Sequence, residues 1–294
     1  MTSTPPDPSP AAQTLPRMPA WVTAGAAQTP DAAAFSSGAA LAVLQAALSC
    51  DPVPRALLRE RLALRAAEAC VVVSGRPERA GDLRDAAHFL QPGDRPGPAG
   101  EVWLSWRRAA ARPVSVDGVQ RALPGIDPAR ITQWWGHGSG APVARAASVL
   151  EGVLTEAPRA EVAALVLADA ALARALGRDH LTPLLAAGMR RGALRLRGDD
   201  LRLACHRAVT ASAVEAVRLA AELTRRTERL ALVAPKLRAK GAGAAVEMFR
   251  TRDAVAPTAL PLPDRAARRL CDRLVALGAV RELTGRDTFR LYGV

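Results

Sequence analysis

The stretch Pro263-Asp264-Arg265-Ala266-Ala267-Arg268-Arg269-Leu270-Cys271-Asp272-Arg273-Leu274-Val275-Ala276-Leu277-Gly278 decides how the chain is read. At about 100° per residue, Ala267, Leu270, Cys271, Leu274 and Leu277 fall near one direction, and Arg265, Arg268, Arg269 and Arg273 near the reverse. The spacing predicts an amphipathic helix with its apolar stripe turned inward and its cations outward. Asp264 behind Pro263 is the expected N-cap, and Gly278 the expected left-handed end. Ala279 to Thr284, then Gly285-Arg286, then Asp287 to Tyr292 predict two strands joined by a turn at Gly285-Arg286.

Working outward, Gly243 to Arg250 and the short Ala256 to Leu260 are the expected preceding helices, with Pro261-Leu262-Pro263 as the turn. The order helix, helix, reading helix, hairpin is that of a winged helix-turn-helix domain over 236–294. Arg281, Arg286 and Arg290 add cations on the hairpin. Lys236, Arg238 and Lys240, in Pro235-Lys236-Leu237-Arg238-Ala239-Lys240-Gly241, add more at the junction, and the two lysines are the only ones in the chain.

The whole chain of 294 residues carries 40 basic and 28 acidic residues, a net charge of +12, so its natural partners are polyanions, nucleic acid first. From Lys236 to Val294 there are 12 basic and 6 acidic residues, so a fifth of the chain holds half of the excess. The scattered cysteines, Cys50, Cys70, Cys205 and Cys271, form no CxxC pair and read as buried free thiols. Met1 to Asp7 lacks the features of a signal peptide, and the uncharged run Ala32 to Cys50 is interrupted by polar residues, so a reduced cytoplasmic protein without a membrane span is expected.

Seven of 23 prolines lie in 1–30, which reads as a disordered tail with Trp21 as its one anchor candidate. The segment 31–235 reads as an all-helical domain of about eight helices. The expected helices are 31–48, 55–73, 76–90, 101–111, 116–123, 143–155, 159–176, 180–191 and a long one from about 199 to 233. The fold class is therefore mainly α: a multi-helix bundle followed by a small winged domain with a C-terminal β-hairpin.

Catalytic chemistry finds little support. Gly136-His137-Gly138-Ser139-Gly140 could hold a serine and a histidine together, but it fails the GxSxG, GxGxxG and Walker patterns, and no strand precedes it. His88, His180 and His206 have no second ligand at helical spacing, so they read as satisfied polar groups, with Asp85 as a local partner for His88. Adjacent Asp199 and Asp200 fit the start of the long helix. No catalytic residue, cofactor, metal or small-molecule ligand is identifiable.

The segments Pro235 to Gly243, Asp264 to Leu270, Leu277 to Arg286 and Thr288 to Gly293 resemble an uncharacterised bacterial family, domain of unknown function 1403. Ser37 to Leu41, Arg61 to Arg65, Pro92 to Asp94 and Gly97 to Gly100 are similar to it as well. The resemblance spans nearly the whole chain after the tail and implies no activity or site residues. Separately, the Leu277-Gly278 helix end and the Thr284-Gly285-Arg286 hairpin resemble winged helix-turn-helix domains of bacterial regulators.

A non-enzymatic regulator or mobile-element accessory factor that binds double-stranded DNA, as a homodimer, is the first expectation. Arg265, Arg268, Arg269 and Arg273 would enter the major groove, with Arg281, Arg286 and Arg290 and then Lys236, Arg238 and Lys240 on the backbone or minor groove. The alternative is a helical protein-interaction module whose basic winged segment docks an acidic partner.

Overall fold

The computed structural model describes residues 15–25, 29–90, 93–138 and 140–294. Among them the chain is mainly α-helical, with one two-stranded sheet near its end. The helices are α1 (Ala20–Thr23), α2 (Pro30–Ser49), α3 (Arg55–Val73), α4 (Ala80–His88), α5 (Gly97–Ala111), α6 (Val116–Ala122) and α7 (Pro128–Gly136). There follow α8 (Pro142–Glu156), α9 (Glu161–Ala175), α10 (Leu185–Gly188), α11 (Gly198–Val233), α12 (Ala242–Thr251) and α13 (Asp264–Ala276).

The core forms around α9, because its residues from Ala163 to Ala173 are buried without interruption. A helix that is apolar on all sides must be enclosed. Trp103 and Trp106 of α5 fill the same interior. The 36 residues of α11 make a rod about 54 Å long, against which α2, α3, α8 and α10 pack. α2 is long and apolar enough to cross a membrane, yet Ala33, Ser37, Ala40, Leu41, Leu44 and Ala47 turn inward. The Ser37 hydroxyl and His206 Nδ1 lie 2.7 Å apart and tie α2 to α11.

Several expectations change. Of the proline-rich start, 1–14 lies outside the described residues. Val22, not Trp21, is its buried anchor, while Trp21 is exposed and stacks on Phe35. The helix expected from Arg76 begins only at Ala80, where Asp82 accepts from the Arg79 amide at 2.8 Å. α7 lies between the expected helices 116–123 and 143–155, where no helix is expected, although Asp127, which accepts from the Ala129 amide, and Pro128 are its start signals. Cys50 is only partly buried, unlike the other three thiols.

The helix expected over 180–191 is the largest difference. His180 instead pairs its backbone with Pro113, and only Leu185 to Gly188 is α-helical. Pro183 disfavours the α region at Thr182 just before it, which works against an earlier start. The buried Asp169 of α9 then accepts from the amides of Leu184, Leu185 and Ala186 at 2.9, 2.9 and 3.2 Å. At Gly188 the chain lies so close to α11 that an added Cβ would stand 2.4 Å from the Ala208 carbonyl oxygen.

Beyond α11, α12 leads to Val255, a 3-10 turn at Pro257–Ala259, then α13, β1 (Arg281–Glu282) and β2 (Tyr292–Gly293). The pairs are Arg281 with Gly293 and Glu282 with Tyr292, and Val255 bridges the other side of Tyr292. The expected helix over 256–260 is thus only a 3-10 turn, and the expected long strands are two residues each. Glu282 is the reason: its carboxylate takes the amides of Thr284 and Gly285 at 2.6 and 2.8 Å, which bends the chain out of the ladder. Phe289 turns it again at a φ of 53°.

Burial pushes the Asp169 carboxyl up to about 7 despite its three amide hydrogen bonds. Between its ordinary value near 3.8 and about 7, the folded protein keeps a proton that the unfolded chain has released. Stability from this group is therefore complete at low pH and is lost as pH rises through that window. Urea unfolding of wild type and Asp169→Asn should show it: the wild type loses stability relative to the Asn variant between about pH 4 and about pH 7. A pH-independent difference would refute the assignment.

Candidate nucleic-acid interface

The inner face of α13 is as its sequence requires, with Ala267, Leu270, Cys271 and Leu274 buried. Arg265, Arg268, Arg269 and Arg273 all lie exposed on the other side. Arg268 stands 4.0 Å from Asp264, both being mostly in water, a pair of small energetic weight. Arg269 Nε donates to the Arg265 carbonyl one turn back, at 3.2 Å. Arg265 and Arg273 have no ion pair among the described residues. Asp264 is the first helical residue rather than the cap, which is Pro263, and no side chain caps this end.

The far end of α13 is held by a residue that no local pattern singles out. Arg229 of α11 donates from Nε to the Gly278 carbonyl and from Nη2 to that of Leu277, both at 3.0 Å. A cation on the last carbonyls satisfies acceptors that a helix end leaves open and complements its dipole. Gly278 has a φ of 61°, as expected, and an added Cβ would come within 3.3 Å of that guanidinium.

Lys236, Arg238 and Lys240 are exposed in the connection to α12. That connection runs beside the entrance to α13: at Gly241 an added Cβ would lie 2.8 Å from the Pro261 carbonyl oxygen. The connection therefore passes directly against the Pro261-Leu262 turn that leads into α13.

The hairpin cations are placed differently. Arg286 pairs with Asp85 of α4 at 2.6 Å and lies over the Phe89 ring, 5.3 Å from its centroid. Asp85 thus serves Arg286 rather than the expected His88. Arg290 reaches Asp287 at 3.5 Å and the Arg286 carbonyl at 2.9 Å. Arg281 has its pKa lowered, by burial first and then by Arg226. Its charged neighbours, Arg226, Glu222, Arg84 and Asp253, belong to α11 and to a buried ion cluster rather than to the outer face of α13. So the structure gathers the four α13 arginines, brings the connection after Lys240 against the turn before α13, and ties the hairpin to the helical body through Arg286.

That ion cluster fixes the whole segment. Asp253 is buried, with Arg84 donating to its two carboxylate oxygens at 2.6 and 3.1 Å and Arg61 in contact with it. Its amide donates to Glu60 at 2.7 Å, and Glu60 in turn pairs with Arg107. Burial raises the Asp253 pKa, but the hydrogen bonds from Arg84 and the charge of Arg61 outweigh it and hold the group below its ordinary value. His88 nearby is pushed down to about 4, by burial and then by Arg107.

Of the glycine-rich loop after α7, Ser139 lies outside the described residues. His137 sits 3.7 Å from Glu156, which also accepts from Trp134 Nε1 at 2.8 Å.

A family model described as "Protein of unknown function (DUF1403)" matches residues 7–294. The chain belongs to that family. No curated protein matches it.

Removing the carboxylate at Asp253 leaves two guanidiniums facing each other inside the protein. Asp253→Ala should cost about 3–5 kcal/mol in urea unfolding, the usual penalty for an orphaned buried charge. A loss under about 1 kcal/mol, the scale of an exposed pair, would show that water reaches the cluster.

Proposed function

We propose that this protein binds double-stranded DNA through the outer face of α13, as a non-enzymatic regulator or mobile-element accessory factor. The observation that carries the reading is that face itself: four exposed guanidiniums on one helix, with only the long Arg268 to Asp264 contact between them and any acid among the described residues. A solvated helix ordinarily mixes signs at three- and four-residue spacing, as Arg202 with Asp199 and Arg226 with Glu222 do on α11.

The order helix, extended residue, short turn, helix, strand, strand supports a winged helix-turn-helix, with Val255, Tyr292 and Glu282 as its minimal sheet. α13 is about 20 Å long and presents Arg265, Arg268 and Arg269 near its N-terminal end, the part that meets base edges in such domains. Lys236, Arg238 and Lys240 would contact phosphate beside it. In this reading a homodimer doubles a modest footprint. Arg286 takes part only if it leaves Asp85, whereas Arg290 is held within the hairpin by Asp287 and Arg281 is exposed, so both can add contacts.

One observation favours a second reading, docking of an acidic protein: the cations of this segment already meet carboxylates of the body, as Arg286 meets Asp85. The partner would then be a carboxylate-rich surface lying on α13.

Retardation of random duplex DNA by the full chain, measured over a range of salt, separates the two. DNA binding predicts a steep fall of log K with log salt, each phosphate contact contributing roughly −0.9 to the slope. Changing Arg265, Arg268 and Arg269 together to Ala should flatten that slope by about 2 to 3 and weaken binding at low salt. Undiminished retardation by the triple variant would rule out this face.

A further inference from the structure

The loop from Thr284 to Arg290 leaves the sheet and crosses to the helical body. Glu282 takes the amides of Thr284 and Gly285, and no backbone hydrogen bond joins 284–290 to the helical body among the described residues. Side chains do the docking. Arg286 Nη2 donates to Asp85 of α4 at 2.6 Å, and the guanidinium lies 5.3 Å from the centroid of the Phe89 ring, just past the end of α4. Phe289 meets the same ring edge-on, with centroids 5.5 Å apart. Arg286 also donates from Nε and Nη2 to the Phe289 carbonyl at 3.4 and 3.2 Å, so the two docking residues are joined to each other.

Each of these contacts is of a kind that opens. The ion pair stands partly in water, with 40% of the Arg286 side chain and 31% of Asp85 exposed, so it is weak and salt weakens it further. Phe289 is 69% exposed even when docked, and its φ of 53° is left-handed backbone that a bulky residue keeps only while its surroundings hold it. A loop fixed by exposed side chains and carrying strain belongs to the low-stability end of a fold. Phosphate suits a guanidinium at least as well as carboxylate does, so Asp85 and a nucleic-acid backbone compete for Arg286.

We propose that the 284–290 loop is an autoinhibitory latch: Asp85 and Phe89 hold Arg286 against α4 while DNA is absent, and a backbone phosphate displaces Asp85 as the hairpin opens onto the duplex. The inference rests on the DNA-binding reading of α13 and adds its regulation. Closed, the loop withholds a phosphate contact, and apparent affinity falls by the fraction of molecules that are open. Arg290 donates to the Arg286 carbonyl at 2.9 Å, so the two cations move together.

The test uses the full chain, with Asp85→Asn and Phe89→Leu combined to open the latch, in the native background and together with Arg286→Gln. Opening should tighten retardation of random duplex DNA about fivefold, the scale of an exposed ion pair plus a cation–π contact, and Arg286→Gln should remove that gain. Without DNA, chymotryptic cleavage after Phe289, read by mass spectrometry, should also run about fivefold faster in the opened chain than in wild type. Circular dichroism and melting of each variant confirm that the fold is kept. A gain of equal size in both backgrounds would report only the lost negative charge and overturns the latch, as does unchanged cleavage. Retardation absent from wild type and every variant alike sinks the DNA reading itself, and the latch with it, whereas wild-type retardation that opening fails to improve sinks the latch alone.

Discussion

The C-terminal segment sits where it does because a buried carboxylate, Asp253, is held by two guanidiniums from the helical body. Taking an ion pair out of water costs several kcal/mol per charge, and close, multiply bonded geometry is needed to offset it. Here Arg84 comes from α4, Arg61 from α3, and Glu60 of α3 takes the amide of Asp253 itself. Three body side chains therefore converge on one residue between α12 and α13. An apolar contact tolerates sliding, whereas such a cluster is satisfied in a single register, so it sets orientation more than it adds stability.

Arg229 and Arg286 complete the constraint at the other two corners. Arg229 reaches out from α11 and donates two hydrogen bonds to the last carbonyls around the end of α13, which fixes that end against the long helix. Arg286 anchors the loop between β1 and β2 to α4. None of the three anchors lies on the outer face of α13, where Arg265, Arg268, Arg269 and Arg273 are exposed. The segment is held from behind, by its turn, its end and its loop.

Legibility in the sequence followed the range of the interactions. α3 runs over the predicted 55–73, α11 begins within a residue of its predicted start, and the buried residues of α13 are those of its apolar stripe, because helical periodicity is local. The 180–191 helix failed because Asp169, fifteen residues upstream of Leu184, claims the amides that would have started it. The hairpin failed because Glu282 competes for the backbone two and three residues on. In the candidate interface, the α13 arginines could be read from spacing alone. Asp253 could not, since Arg61 and Arg84 are 192 and 169 residues away. Gly278 did signal a helix end needing donors, but nothing local names Arg229 as the donor.

Arginine in this chain thus takes its role from where its carbonyl or carboxylate partners lie. Arg61 and Arg84 are desolvated and must have a carboxylate; Arg229 takes carbonyls; Arg286 takes Asp85 and an aromatic face. Glu60 and Asp85 of the body, and Asp253 within the segment, are engaged in holding it and make no ion pair with α13 among the described residues. The same contacts that fix the segment thus leave the four α13 arginines facing solvent. Asp272, exposed on α13 itself, makes no ion pair with the arginines beside it among the described residues, so their charge is left to solvent.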